Sequence, residues 1–504
     1  MSNGDPIDQS ERVATQIPGL DTVLKGGVFG GGIYIVQGAP GAGKTIFGNQ
    51  ICFSRAANGA RALYVTLLAE SHARMLSHMR RLEFFDERLI PDQVAFVGAF
   101  KILEEEGLKG LLDMVRREVR TRKTNLLVLD GLITVHEKAS SDLELKKFVH
   151  ELQTQAVFTG CTMFLLTSAF DNDHAFPPEH TMVDGLIELQ TRLHGRRAER
   201  QLLVHKLRGS GYLGGAHSFR ITDRGIIVFP RIEAVLANPA IPDHSDGSKL
   251  PTGIAGLDAM LGGGVSQGSV TLITGPAGSG KTTAGLQFLS ACTDKEPGLL
   301  FGFHENPPAL RIKARALRLP FDALVEQGSI AISWRPATEA VLDETCADLL
   351  DLIRTRGVRR LFLDGADGFE RLTDEKHRIG AVLAAMCNEL RGMGVTALAT
   401  AETDLAGMVP GQPLAGLALT GLSPVAENIV VLRLAAVRSG IHRLVTVLKA
   451  RDSQIDMKMR RFDIGESGIA ITSDVAVAET VLRELVQQAV PSTMTPTDAR
   501  LTGD

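Results

Sequence analysis

GAPGAGKT at residues 38–45 and GPAGSGKT at residues 275–282 are near-copies of one octet in a chain of 504 residues. Each has the spacing GxxxxGK followed by a hydroxyl residue. Each follows a β-rich apolar run, GIYIVQ or SVTLIT, and precedes a helix-like stretch, TIFGNQICFSRAA or TTAGLQFLSACT. Strand, glycine-rich turn and helix in that order turn backbone N–H groups toward an anion at the helix N-terminus. Gly38, Gly41 and Gly43, and Gly275, Gly278 and Gly280, let the backbone approach phosphate oxygens where a side chain would stand in the way. Lys44 and Lys281 would then reach the β and γ phosphates, and Thr45 and Thr282 would ligate Mg²⁺. A glycine-rich turn with no ligand is the competing reading, and recurrence of the whole GKT pattern disfavours it.

The octets are part of a longer repeat. Gly38 and Gly275 stand 237 positions apart (275 minus 38). Upstream, Thr15, Ile17, Gly19, Leu20 and Asp21 match Thr252, Ile254, Gly256, Leu257 and Asp258 at that offset. Downstream, NLLVLDG ending at Gly131 echoes RRLFLDG ending at Gly365, and VHKLRG at 204–209 echoes VLKARD at 447–452. An internal duplication explains all of these matches. It divides the chain into a first domain over 12–237, a Pro-, Asp- and Ser-rich linker over 238–249, a second domain over 250–475, and a C-terminal helix with a loose tail over 476–504.

Composition agrees with two soluble domains. The chain exceeds what one core normally supports, and with 44% hydrophobic and 22% charged residues it is ordinary globular material. No apolar run is long enough to span a bilayer, and the polar start MSNGDPIDQSER does not read as a secretory signal. Five scattered cysteines, never in CxxC spacing, argue against a disulfide framework and against a zinc site. The expectation is a cytoplasmic protein without membrane association. A formal charge of −4 makes nucleic acid an improbable general partner.

Continuous apolar runs separated by helical segments predict parallel strands buried on both faces. Such runs are ALYVTLL, NLLVLD and TMFLLTS in the first half, and GLLFGF, RLFLDG and TALATAE in the second. The stretch VVLRLAAVRSGIHRLVTVLKA reads instead as two strands around an Arg-Ser-Gly turn, giving an antiparallel edge. Asp130 and Asp364 end apolar strands, so their carboxylates would emerge where ligands of open α/β sheets bind and would hold the metal. Glu70 and Glu305 follow strand ends in matching register and would position the attacking water, with solvated helix-capping carboxylates as the bland alternative. His304, beside Glu305, is either a contributor to base catalysis or an ordinary neighbour. Lys206 with Arg208, and Lys449 with Arg451, each present two cations on one face of a strand. They suit a neighbouring subunit's triphosphate, and a solvated basic face is the alternative.

Taken together, the GLDxxLxGGV segment before each octet, the strand-end aspartate and the late KxR strand resemble the KaiC family of RecA-like ATPases, in its tandem form. The resemblance covers about residues 12–475. It implies two tandem RecA-like P-loop NTPase domains, each an α/β fold with a mostly parallel sheet and an antiparallel C-terminal edge. It also implies ATP and Mg²⁺ as cofactors, a homohexamer of stacked rings with ATP at subunit interfaces, and KxR residues acting in trans on hydrolysis. Two departures stand out. Where family members that keep time carry paired glutamates, this chain has Ala69-Glu70 and His304-Glu305. At the family's phosphorylated Ser-Thr pair, Ser423 takes the serine's place and Pro424 the threonine's. Proline has no hydroxyl, so modification would be confined to Ser423 or the nearby Thr420. The resemblance therefore implies an ATP hydrolase acting as a nucleotide-dependent regulatory switch, with serine/threonine autokinase activity as an added expectation for the second domain and the tail as a contact for a regulatory partner. A nucleic-acid-dependent ATPase of the RecA and RadA kind, and a scaffold that binds ATP without hydrolysing it, remain the alternatives.

Overall fold

A computed structural model describes residues 12–68, 72–168, 178–194, 196–239, 247–403, 421–437, 440–451, 455–476, 478–481 and 483. The chain divides into two units, residues 1–235 and 236–504. Glu70 and Thr420, and the segments 240–246 and 484–504, lie outside the described residues.

The first unit is built on nine strands: β1 (Ile33–Gly38), β2 (Ala62–Thr66), β3 (Val94–Gly98), β4 (Leu126–Asp130), β5 (Thr162–Ser168), β6 (Gly185–His194), β7 (Arg197–Leu207), β8 (Ala216–Thr222) and β9 (Gly225–Phe229). Their order across the sheet is β9-β8-β7-β6-β1-β5-β4-β2-β3. The six from β6 to β3 run parallel, while β7, β8 and β9 add on antiparallel. The central strands are buried along their whole length, as β4 is with Leu126, Leu127, Val128, Leu129 and Asp130. That burial reflects two apolar layers, because Tyr34, Val36, Tyr64, Val128 and Leu166 face one cluster and Ile35, Val65, Leu127 and Leu165 face the other. Helix α1 (Lys44–Ala56) covers the first layer with Phe47, Ile51 and Cys52. Helix α2 (Phe100–Arg122), broken by a kink at Gly107 where φ is 67°, and helix α3 (Asp142–Thr159) cover the second.

The second unit repeats this plan with β10 (Val270–Gly275), β11 (Gly298–Gly302), β12 (Ile330–Trp334), β13 (Arg360–Asp364), β14 (Thr396–Glu402), β15 (Asn428–Val437), β16 (Gly440–Ala450), β17 (Arg460–Gly465) and β18 (Gly468–Ile471). The order β12-β11-β13-β14-β10-β15-β16-β17-β18 is the first sheet read from its other edge. Helix α4 (Lys281–Leu289) comes directly after the octet, and α5 (Pro307–Ala316) comes after β11. The expected hairpin is present as β15 and β16 paired from Asn428↔Ala450 to Val437↔Gly440. Its connecting residues Arg438 and Ser439 lie outside the described residues. Both sheets are therefore mostly parallel α/β sheets with an antiparallel edge. Ala478 and Val481, in a helical stretch beyond β18, are buried against Ala435, Val437 and Leu444. That part of the C-terminal segment packs on the second unit.

Candidate nucleotide-binding sites

In each unit the central strand runs straight into the octet, and the next helix begins at the octet's lysine. Gly38 must lack a side chain for a local reason, since a Cβ there would lie 2.4 Å from the Leu189 carbonyl oxygen on β6. Gly275 repeats this against the Leu432 carbonyl at 2.6 Å. Gly43 and Gly280 cap α1 and α4 at φ of 108° and 104°, a region that disfavours any residue with a Cβ. Octet and helix thus form one rigid cradle of backbone N–H groups.

Lys44 Nζ donates to the Gly38 and Ala39 carbonyls at 2.6 and 3.0 Å, and Lys281 Nζ to those of Gly275 and Pro276 at 2.7 and 2.9 Å. Each ammonium folds back along its own loop. Burial lowers both lysine pKa values, with the opposing pull of Asp130 on Lys44 and of Glu402, Asp364 and Asp367 on Lys281. An anion in the cradle would reverse that penalty by adding negative charge beside a partly desolvated cation.

At the start of α1, Thr45 Oγ1 donates to Asp130 Oδ2 at 3.2 Å. Thr282 Oγ1 lies 3.4 Å from Asp364 Oδ1 and 3.5 Å from Glu305 Oε1. Each octet hydroxyl therefore meets the strand-end carboxylate from a distant part of the chain, across a separation of 85 residues in the first unit and 82 in the second. Hydroxyl plus carboxylate is a hard-oxygen donor set suited to Mg²⁺, which keeps most of its shell for waters and phosphates. Among the described residues no cluster of three or more His, Cys, Asp or Glu could hold a metal.

The two carboxylates are anchored differently. Tyr64 OH donates to Asp130 Oδ2 at 2.6 Å from the fully buried interior of β2. Desolvation by burial, then the charge of Asp130, raises the Tyr64 pKa well above its ordinary value, keeping the phenol a donor. Asp364 instead accepts from Thr400 Oγ1 at 2.9 Å, and Thr400 Oγ1 in turn accepts from the Gly365 N–H at 2.8 Å. Burial raises the Asp364 pKa, with Thr400 working against it.

Glu305 forms an ion pair with Lys313 on α5. It does not cap that helix, because Asn306 does so, accepting from the Ala309 N–H at 2.9 Å. His304 packs its ring where a Cβ on Gly365 would stand, with Nε2 3.5 Å from Asp367 Oδ2. Glu70, the first-unit counterpart of Glu305, lies outside the described residues.

The paired cations do not join these groups within one chain. Lys206 Nζ donates to the His180 and Thr181 carbonyls at 3.1 and 3.0 Å, and Arg208 donates to those of Thr181 and Met182 at 2.7 and 3.3 Å. Lys449 Nζ donates to Ala426 at 2.6 Å and Ser423 at 3.4 Å, and Arg451 to Pro424 at 3.4 Å. Burial lowers the pKa of both lysines, with the neighbouring arginine adding to it. Register puts them at the wrong end of the sheet for their own octet. Lys206 is opposite Leu186, which is level with Ile35, while the octet leaves the sheet at Gly38. Lys449 is opposite Ile429, level with Leu272. The offset from octet to cations is about 10–17 Å along the strands and about 10 Å across two strand spacings.

Sequence reading missed several of these features. A register shift immediately precedes each lysine, between Leu186 and Ile187 and between Ile429 and Val430, leaving His205 and Leu448 as bulge residues that re-aim the lysine and arginine beyond them. No local sequence signal marks a bulge of this kind. Tyr64 reads as one more core aromatic, and Thr400 as a strand residue, because their partners are distant in sequence. Ser423 is half-buried, on the same segment whose carbonyls hold Lys449 and Arg451.

The family model described as the KaiC ATPase matches residues 13–233 and 250–476. The circadian clock oscillator protein KaiC of Picosynechococcus sp. is 25% identical over 497 residues, covering 93% of this chain and 91% of that protein. The protein of the same name from Synechococcus elongatus is 23% identical over 478 residues, 91% of this chain and 88% of that one. The one from Prochlorococcus marinus subsp. pastoris is 23% identical over 505 residues, with 96% of each chain covered.

Proposed function

The chain belongs to the KaiC ATPase family, and from that premise we propose that it is a Mg²⁺-dependent ATP hydrolase that works as a homohexamer and serves as a nucleotide-controlled regulatory switch. The observation that carries the assembly is the position of the KxR cations. Lys206, Arg208, Lys449 and Arg451 lie at the end of the strands remote from their own octets, so a triphosphate within their reach would belong to another copy. A head-to-tail contact repeated around a closed ring supplies each site with one neighbour's cations.

In this reading the octet N–H groups and Lys44 or Lys281 bind and orient the triphosphate. Thr45 with Asp130, and Thr282 with Asp364, hold Mg²⁺. Held there, the ion would supply positive charge to offset that of the phosphates. Glu70 and Glu305 orient the attacking water. The trans cations stabilise charge that develops on the transferred phosphoryl group, the role of an arginine finger.

A second activity, serine autophosphorylation in the second domain, is favoured by one observation. The Ser423 carbonyl lies 3.4 Å from Lys449 Nζ, so a cation that reaches a neighbour's γ-phosphate brings this serine toward the same phosphate. Incubation with Mg-ATP, then sizing, phosphate release and mass spectrometry of the 421–427 segment, tests all parts together. Rings that release phosphate support the ATPase. Binding without release selects the inert scaffold, and release only with single-stranded DNA selects the nucleic-acid-dependent alternative. Phosphate found on Ser423 and lost with Lys281→Ala supports the autokinase.

A further inference from the structure

The two strand-end carboxylates occupy equivalent places in the duplicated fold, yet each receives its buried hydroxyl from the opposite neighbouring strand. Asp130 on β4 is flanked by β2 and β5, and Asp364 on β13 by β11 and β14. On the β2 side, Tyr64 pairs with Val128, two residues before Asp130. Its counterpart on β11 is Leu300, paired with Phe362, two residues before Asp364. On the other flank, Leu166 pairs with Val36, two residues before the first octet glycine, and Thr400 pairs with Ile273 in the same relation. The first unit therefore carries Tyr64 and Leu166 where the second carries Leu300 and Thr400. The hydroxyl has changed sides while the carboxylate has stayed in place.

We propose that Tyr64 and Thr400 are positioning residues that aim the metal-side carboxylates of the two nucleotide sites, each for its own domain and each by an independent solution. The proposal rests on the reading that Asp130 and Asp364 face a metal-bound nucleotide. Asp130 and Asp364 are only 5% and 6% exposed, and a buried carboxylate takes its orientation from the donors packed around it, here a hydroxyl from a neighbouring strand beside that of the octet threonine. In the first site the phenol and Thr45 Oγ1 both donate to Oδ2, so releasing the phenol frees the same oxygen that Thr45 contacts. In the second site Thr400 holds Oδ1, and its own bond from the Gly365 N–H ties the anchor to the turn after β13. Hydrogen-bonding partners behind a ligand set of this kind contribute about 10–100-fold in metal affinity.

The test measures the ratio of fluorescent N-methylanthraniloyl-ADP affinity with Mg²⁺ to that in EDTA. It uses the full chain carrying Lys281→Ala, so that the first site reports. Tyr64→Phe should cut this ratio by about tenfold while leaving affinity in EDTA unchanged, because phosphate contacts to the octet are untouched. Adding Leu166→Thr, which imports the second unit's solution, should restore most of the ratio. In the reciprocal Lys44→Ala background, Thr400→Val should lower the ratio at the second site, which keeps the question answerable should Tyr64→Phe fail to fold. Asp130→Asn separates the two levels of inference. A ratio that Asp130→Asn lowers and Tyr64→Phe does not would overturn the positioning role, as would equal losses with Mg²⁺ and in EDTA. A ratio insensitive to Asp130→Asn would overturn the site reading beneath it.

Discussion

Two inactive variants of this chain should restore each other's hydrolysis when mixed. In one, Lys44→Ala disables the first octet. In the other, Lys206→Ala with Arg208→Ala removes the cations of the first domain, and both carry Lys281→Ala so that the second octet is silent. Within a single chain those cations sit about 10–17 Å down the strands and about 10 Å across from the octet, farther than a lysine or arginine side chain extends. Removing arginine-finger cations costs about 10³-fold or more in turnover, so each variant alone should be nearly inactive. In a ring assembled from a random mixture, a site is intact when its octet comes from the cation-less variant and its neighbour is the octet-less one. Each condition holds with probability about one half in an equal mixture, so about one quarter of sites recover under head-to-tail geometry. Phosphate release from variants mixed before nucleotide is added should rise to about a quarter of the Lys281→Ala parent, and fall symmetrically as the ratio departs from equality. Circular dichroism of each variant guards against loss of the 180–182 segment, whose carbonyls these cations hold. Activity that stays at the average of the two variants at every mixing ratio would refute action in trans.

Packing and burial lead to three further expected outcomes. Gly285→Ala gains about 1 kcal/mol of helix propensity but places its Cβ 2.0 Å from the Phe362 ring, and overpacking of about 1–3 kcal/mol should prevail, lowering the second unit's unfolding temperature in calorimetry. The counterpart Gly48→Ala meets the methyl ends of Leu166 and Val128 at 2.9 Å and the Tyr64 ring at 3.3 Å, looser contacts that should cost less. Burial raises the Asp364 pKa, so the folded chain keeps that proton to a higher pH than the unfolded chain does, and stability declines as pH rises through the ordinary carboxylate range toward the raised value. Asp364→Asn removes that decline, so without nucleotide the variant should melt above wild type near about pH 8, with the gap closing in acid. Val481→Ala strips two methyl groups from the cluster with Ala435, Val437 and Leu444, and denaturant titration should show a loss of about 1–2 kcal/mol.

Local chemistry and repetition made much of this molecule legible in advance. An octet with glycines at the required positions needs only its flanking strand and helix to be recognised, and its second occurrence removes chance. The run NLLVLD announces a strand buried on both faces with a carboxylate at its end, and β4 is buried through Asp130. What stayed hidden depends on pairings between distant segments. Tyr64 lies 66 positions from Asp130 in the chain, so its phenol could not be told from the core aromatics around it. KxR spacing indicates two cations on one face, whereas which end of the sheet they occupy is set by the register of β7 on β6. The hold of Lys313 on Glu305 depends on how α5 leaves β11, and Asn306 and the two prolines after it set that exit.

Duplication preserved geometry here more strictly than it preserved energetics. Strand order, octet, strand-end carboxylate and the bulge before Lys206 and Lys449 recur in both copies. Side chains around these features have diverged. The buried hydroxyl comes from β2 in one copy and β14 in the other, and Glu305 is paired with Lys313, whereas the position eight residues after Glu70 is His78. In the proposed roles, a cation beside Glu305 and a different anchor behind the strand-end carboxylate would both act on the metal-bound state rather than on phosphate binding as such. The two sites should therefore hold nucleotide similarly in EDTA and diverge once Mg²⁺ is supplied. Such a divergence would let one chain carry a nucleotide-retaining site and a nucleotide-consuming site on the same fold.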